Sequence, residues 1–482
     1  MFKSAHSIRN ATQFRTLLCV LGAFVVQNLP AAEFRITPST ELQAVLKHVS
    51  AGDSVVLANG TWTDPKLRFE SLPGTAAEPI HIRAETPGQV VLTGAIEFRV
   101  SGNHITISGL AIRNPNNVSD VFDLRTHSER HAHHCRITDC SFEQTTGSKQ
   151  DKESRWLNIY GTHNRVDHCY FAGKRNRGTT LIVWVSKTIG SHRIDQNHFG
   201  PRPELGRNGG ETIRIGTSDV SELNSRTVVE ENYFERCNGE AEIISNKSCE
   251  NIYRHNVFER CSGTLTLRHG HRCVADGNVF LGHQESGTGG VRIIGRDHRV
   301  TNNYFEGLRG DAERAALCLM NGIPDGPLHT YAPVRNALIA HNTFIDCKVS
   351  MEFGVRASKK IPAAPTDCRV SHNAFLPGKW ELFRVQAKPV NFTWLGNKYQ
   401  SGKTRGADLV DIERVNIQLS RTADGLLRPN DMSSLSSDEP SGVKVDIDGA
   451  ARGQKAIAGC DHPDTPVRAW STAQTTGPNW RR

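Results

Sequence analysis

The sequence predicts an all-β, single-domain, right-handed parallel β-helix, a solenoid closed at its N-terminal end by a short capping helix. Three observations predict it. First, an Asn-x-aromatic unit recurs at Asn197-His-Phe199, Asn232-Tyr-Phe234, Asn256-Val-Phe258, Asn278-Val-Phe280, Asn303-Tyr-Phe305, Asn342-Thr-Phe344, Asn373-Ala-Phe375 and Asn397-Lys-Tyr399, with Cys140-Ser-Phe142 and Cys169-Tyr-Phe171 as degenerate copies. Second, the aromatic returns from Phe142 onward after 29, 28, 35, 24, 22, 25, 39, 31 and 24 residues. A unit of that length cannot bury its own apolar face, so copies must stack. Third, the segments between refrains alternate apolar and polar residues with a period of two and contain no convincing amphipathic helix, which makes each unit a coil of short strands. Asn at a fixed turn position suits a left-handed backbone or a ladder of side chains from coil to coil, with the Phe inside.

Taken in order, residues 1–32 read as a secretory signal. Lys3, Arg9 and Arg15 precede the apolar run Leu17 to Val26, and Ala31-Ala32 precede Glu33. The run is short for a bilayer span, and nothing later resembles a membrane helix. Cleavage after Ala32 removes three positive charges and no negative ones, lowering the net charge from +8 to +5. The expected location is therefore secreted or periplasmic, and a modest positive excess is compatible with an anionic partner. Residues 33–400 form the predicted β-helix. Ser39 to His48 reads as the helix that seals its open end. Strands follow at Asp53 to Leu57, Ile80 to Arg83, Val90 to Leu92, Ile105 to Ile112, Trp156 to Tyr160 and Leu181 to Val185.

The stretch Asp123 to His134 is rich in His and Arg; His131, His133, His134 and Cys135 are spaced too tightly for a standard tetrahedral zinc site, so a solvated loop is expected. Beyond Tyr399 the refrain stops, and residues 401–482 read as irregular chain wrapping or extending the last coils. Cys237/Cys261 and Cys249/Cys273 are each 24 residues apart, equivalent places on consecutive coils. They read as small apolar residues stacked inside rather than as disulfides.

Four strand-like segments fall between Asn208 and Arg292: Glu211 to Gly216, Glu240 to Ser248, Gly263 to Gly270 and Gly289 to Gly295. If Ile213/Ile215, Ala241/Ile243, Leu265/Leu267 and Val291/Ile293 point inward, alternation sends Arg214, Glu240/Glu242, Thr266/Arg268 and Arg292 to one outer face. Glu240 and Glu242 then lie side by side, and Asn208 sits one long coil earlier. Two carboxylates and an amide oxygen are hard ligands suited to Ca²⁺ completed by water. The same residues also suit a surface ladder in which Arg214 and Arg268 merely neutralise the glutamates.

These motifs, Asn208-Gly-Gly-Glu211, the pair Glu240 and Glu242, Asn246-Lys-Ser248 and Arg268-His-Gly270 in that order, resemble polysaccharide lyase family 6, which comprises alginate lyases and chondroitinase B. The resemblance implies Ca²⁺ on Asn208, Glu240 and Glu242, Lys247 as base and Arg268 in catalysis. The implied reaction is β-elimination on a uronate polysaccharide. A cation on the uronate carboxylate would stabilise the charge that develops when the C5 proton leaves. Lys247 accepts that proton only in its neutral form, which neighbouring cations favour.

Arg214, Arg292, His269 and Tyr331 are candidate substrate contacts, although His269 also fits packing within its turn and Tyr331 also fits covering a coil edge. The Gly289 to Arg292 and Met320 to Pro324 stretches look closer to the alginate-cleaving members. The expected activity is an alginate lyase acting on an anionic polysaccharide, with neither nucleic acid nor membrane as partner. A dermatan sulfate lyase and a non-catalytic β-helix that binds anionic glycan are the alternatives; oligomeric state and mannuronate against guluronate preference stay open.

Overall fold

The structure, a computed structural model, describes residues 31–116, 120–147, 152–406, 412–461 and 475–480. The expected signal segment lies outside them apart from Ala31 and Ala32. Three long sheets of 14, 15 and 14 strands run through the described residues, parallel apart from one hairpin at the edge of the second, and interior strands pair with the strand one coil before and one coil after them. The chain is thus a parallel β-helix, and residues one repeat apart become neighbours: Ile213 pairs with Ile244, Ile244 with Leu265 and Leu265 with Val291.

Why these repeats stack is visible inside. The phenyl rings of Phe142, Phe171, Phe199, Phe234, Phe258, Phe280, Phe305, Phe344 and Phe375 form one column with centroids 4.6–5.0 Å apart, the spacing that parallel strands impose. Beside it, each asparagine of the refrain donates its side-chain N–H to the next one's carbonyl oxygen at 2.9–3.0 Å, from Asn197 through to Asn397. The ladder satisfies buried amides that would otherwise be costly. The left-handed backbone belongs to the residue before each Asn, as at Gln196, Glu231, His255, His341 and His372. Cys169 donates its backbone N–H to Asn197, so the degenerate copy joins the same ladder. The eleven described cysteines are free and buried, and the Cys237 N–H points at the Cys261 sulfur at 3.4 Å.

Several expectations change in detail. The capping helix is a single turn, Leu42–Leu46, preceded by a strand Glu33–Ile36 that already pairs with Ser54–Leu57. The span from Ile105 to Ile112 divides at Gly109 into two strands of different sheets, because that residue turns at φ +77°. The stretch read as a solvated loop is a hairpin, Arg125–His127 against Arg130–His133, held by ion pairing of Arg130 to Glu70 and by a hydrogen bond from Arg68 to the Thr126 carbonyl.

Beyond Tyr399 the strands Lys403–Arg405 and Glu413–Arg414 extend two of the sheets. The chain then folds back along the turns: His341 and His372 contact the carbonyls of Ile457 and Glu439, and Trp480 stacks on His168 at 4.6 Å. No helix among the described residues is long and apolar enough to cross a membrane.

Candidate active site

The second sheet carries the candidate residues on its outer side. Its strands over successive coils are Leu157–Ile159, Leu181–Val183, Ile213–Ile215, Glu242–Lys247, Thr264–His269 and Val291–Ile293. Pairing puts Asn158, Ile182, Arg214, Ser245, Thr266 and Arg292 in one outward column. Simple alternation from Ala241 and Ile243 fails here. A bulge between Glu242 and Ile244 leaves Ile243 and Ile244 both buried, so that Ile244 and Asn246 take the inward places. A second irregularity follows Asn246 and sets Lys247 opposite His269, the residue after Arg268. Bulges of this kind re-aim side chains at the edge of a site. Asn246 is held by donating to the Ser248 and His269 carbonyls while accepting from Asn251 and the Tyr253 hydroxyl, which fixes the strand just before Lys247.

Lys247 is half-buried, and no hydrogen bond or ion pair holds its ammonium among the described residues. Arg268 is held on several sides. Its Nε lies 3.7 Å from a Glu242 oxygen, it donates to the His329 and Thr330 carbonyls at 3.4 Å, and its guanidinium stands 4.3 Å from the centre of the Tyr331 ring. Burial lowers its pKa from the ordinary arginine value. His269 is buried, its Nε2 lies 3.2 Å from the Ser218 hydroxyl, and burial beside Arg268 and Lys247 pulls its pKa down to about 3, leaving it neutral.

The carboxylates divide into two kinds. Glu242 pairs with Arg292 and accepts from the Ser245 hydroxyl at 2.5 Å. Burial opposes its ionisation, but Arg292, Ser245, Lys247 and Arg268 together outweigh that and lower its pKa. Glu240 instead accepts from the backbone N–H groups of Gly209 and Gly210, at 2.8 and 3.2 Å, which is how the turn beginning at Asn208 is tied to this strand. Burial first, then the nearby charges of Glu211 and Glu242, push Glu240 up to about 7.

Arg214 stands 3.8 Å from Glu211. Arg292 is 3 % exposed and is drawn between Glu242 and Glu313, so it lies beneath the surface rather than free to meet a sugar. Asn208 is exposed. Sequence reading named Glu211 only as the end of the Asn208 motif and gave it no role; it is buried with Oε2 lacking a hydrogen-bond partner among the described residues. Sequence reading missed Glu313 and Arg356, which form an ion pair beside Tyr331. Glu211 had a signal, its place at the end of the Asn208 turn; Glu313 and Arg356 lie on later coils with no motif of their own.

Among the described residues, no three His, Cys, Asp or Glu side chains close around a common point as metal ligands. The expected calcium set needs only two, Glu240 and Glu242, with the Asn208 amide. The donor chemistry fits: all are hard oxygen ligands, and an ionised Glu240 is opposed by neighbouring negative charge that a cation would relieve.

The chondroitinase B family model matches residues 36–378. Among solved structures, the PL6 family alginate lyase AlyGC is 35% identical with a TM-score of 0.80, over 93% of this chain and 58% of that one. A mannuronic acid specific polysaccharide family 6 lyase from human gut microbiota is 33% identical with a TM-score of 0.67, over 77% of this chain and 86% of that one. A PL6 alginate lyase in complex with a trisaccharide, at 23% identity and TM-score 0.74, shares the fold. The chain spans little more than half the length of AlyGC. No curated protein matches it.

Proposed function

The chain belongs to polysaccharide lyase family 6, and from that premise we propose that it is an alginate lyase that cuts the 4-linked uronate chain by β-elimination. The observation that carries this reading is the juxtaposition of Lys247 and Arg268 on adjacent strands, the ammonium unpaired and the guanidinium held beside Glu242 and Tyr331. Lys247 takes the proton from C5 of the sugar. The C5–H electron pair becomes the C4–C5 double bond, the C4–O4 bond breaks with its electron pair on O4, and O4 takes a proton from water or from the newly formed Lys247 ammonium, so the new non-reducing end is an unsaturated uronate. Arg268 supports the sugar carboxylate while charge builds on it, since a guanidinium holds its proton tightly. His269, neutral and buried, keeps the turn beside Arg268 in place.

Asn208, Glu240 and Glu242 would hold Ca²⁺, which would supply neutralisation of the uronate carboxylate. Tyr331 lines the substrate side of Arg268; Arg292 acts by holding Glu242. We further propose that residues 1–32 direct the chain to a secreted or periplasmic location. Rising ultraviolet absorbance from the unsaturated product on alginate is the test, run alongside dermatan sulfate. The name of the matching family model favours a second reading, a dermatan sulfate lyase. Product from dermatan sulfate alone would select it, and product from neither would overturn both.

A further inference from the structure

The outer column that holds Lys247 continues toward the N-terminal coils with residues no part of the chemistry uses. Trp184 follows Val183 and Gly216 follows Ile215 on paired strands, while Tyr160 follows Ile159 one coil earlier. Arg125 precedes Tyr160 in the same line, placed there by the hairpin that replaced the expected loop. The column therefore reads Arg125, Tyr160, Trp184, Gly216, Lys247.

The Tyr160 and Trp184 rings are parallel to within 7° with centroids 5.7 Å apart, and the indole N–H is fixed by donating to the Asn158 side chain at 2.9 Å. On the far side of Trp184 the column offers only Gly216, so no side chain from the next coil stacks on the indole there. Gly216 turns at φ +79°, and a Cβ on it would come within 2.8 Å of the Lys247 carbonyl; the gap is built into the backbone. Behind Tyr160, on the coil before it, Arg125 stands 4.0 Å from the ring centre, and Arg155, paired with Asp120 and Glu153, stands 5.3 Å from the indole.

We propose that Trp184, backed by Tyr160, is a distal sugar subsite that holds a uronate unit of the same polysaccharide chain whose scissile bond lies at Lys247. Trp184 is two coils from Lys247, about 10 Å at the strand spacing, so the unit it binds is not the one that loses its proton. An indole presents an apolar face to the C–H groups of a pyranose; the guanidinium beside it, Arg155, is already paired with Asp120 and Glu153, so the contact is with the sugar ring rather than with its carboxylate. On the opposite side of Lys247, Arg268 is contacted by the carbonyls of His329 and Thr330 and by the Tyr331 ring; the aromatic pair lies on the other side, along the same outer column.

The proposal rests on the lyase reading but is tested apart from it. Steady-state kinetics on uronate oligomers of three and six units give a length preference. In Trp184→Ala the preference for the hexamer should fall about tenfold, the loss of one good aromatic contact; Trp184→Phe should restore much of it. A hexamer preference equal to wild type in Trp184→Ala, with the melting temperature intact, overturns the subsite. If the wild-type enzyme yields no unsaturated product from any uronate, the lyase reading fails instead. Calorimetric titration of the Lys247→Ala protein with the hexamer, with and without Trp184→Ala, then decides the subsite alone: weaker binding in the double variant supports it, equal binding overturns it.

Discussion

The inner and outer sides of the second sheet share strands and yet obey different rules. Inside, Ile213, Ile244, Leu265 and Val291 repeat one chemistry, and the Phe and Asn columns repeat theirs over most of the length. Outside, Trp184, Gly216, Lys247 and His269 follow one another with no two alike. Where the repeat is kept it builds a scaffold, and where it is broken, at the bulges flanking Glu242 and Lys247, it builds a site. The sharpest way to break that contrast is Lys247→Ala. Its ammonium holds nothing in place, so the melting temperature should stay that of the parent while turnover on alginate falls by about a thousandfold or more. Retained turnover would take the base out of the outer column.

The converse substitution belongs inside. Phe258 stacks on Phe234 and Phe280, each at 4.6 Å, and is buried. Phe258→Ala should cost about 3–5 kcal/mol of stability, read as a lowered denaturation midpoint, while the turnover of the protein that remains folded stays near that of the parent. A loss of turnover exceeding the loss of folded protein would show that the inner column does more than support.

Those two sides were not equally legible. The interior could be read from residue spacing because every coil must place the same group at the same point: the Asn and Phe refrain gave the fold, the coil spacing and the free cysteines. The outer face could be read only as far as alternation held. Inserting one residue at a bulge moves the following side chains to the other face, which is why alternation from Ile243 does not reach Ile244 and Asn246 as inward residues; Arg292 keeps its outward register and is buried because Glu242 and Glu313 draw it in. The hairpin at Arg125–His133 was hidden for another reason: its strands are polar on both sides, and it is held by Glu70 and Arg68 from earlier coils. Lys247 and Arg268 were found through the resemblance, not through periodicity.

The smallest effect concerns Glu240, where the outer face carries strain that the inner one does not. Its carboxyl is raised to about 7 by burial and by the charges of Glu211 and Glu242. A carboxyl whose folded pKa lies above its unfolded value, about 4.3, favours the folded state below that unfolded value. Its contribution is lost as pH rises through about 7, because the folded protein then has to ionise a group that resists it. In Glu240→Gln this titration is gone. With a chelator present, the variant and the parent should melt alike near pH 4.5, and the variant should melt a few degrees higher at pH 8. Added Ca²⁺ at pH 8 should then raise the parent and leave the variant where it was, since the cation relieves the same repulsion that the substitution removes. Equal melting of the two proteins at pH 8 without metal would mean that Glu240 is no more strained than the ordinary surface carboxylates of the coils around it.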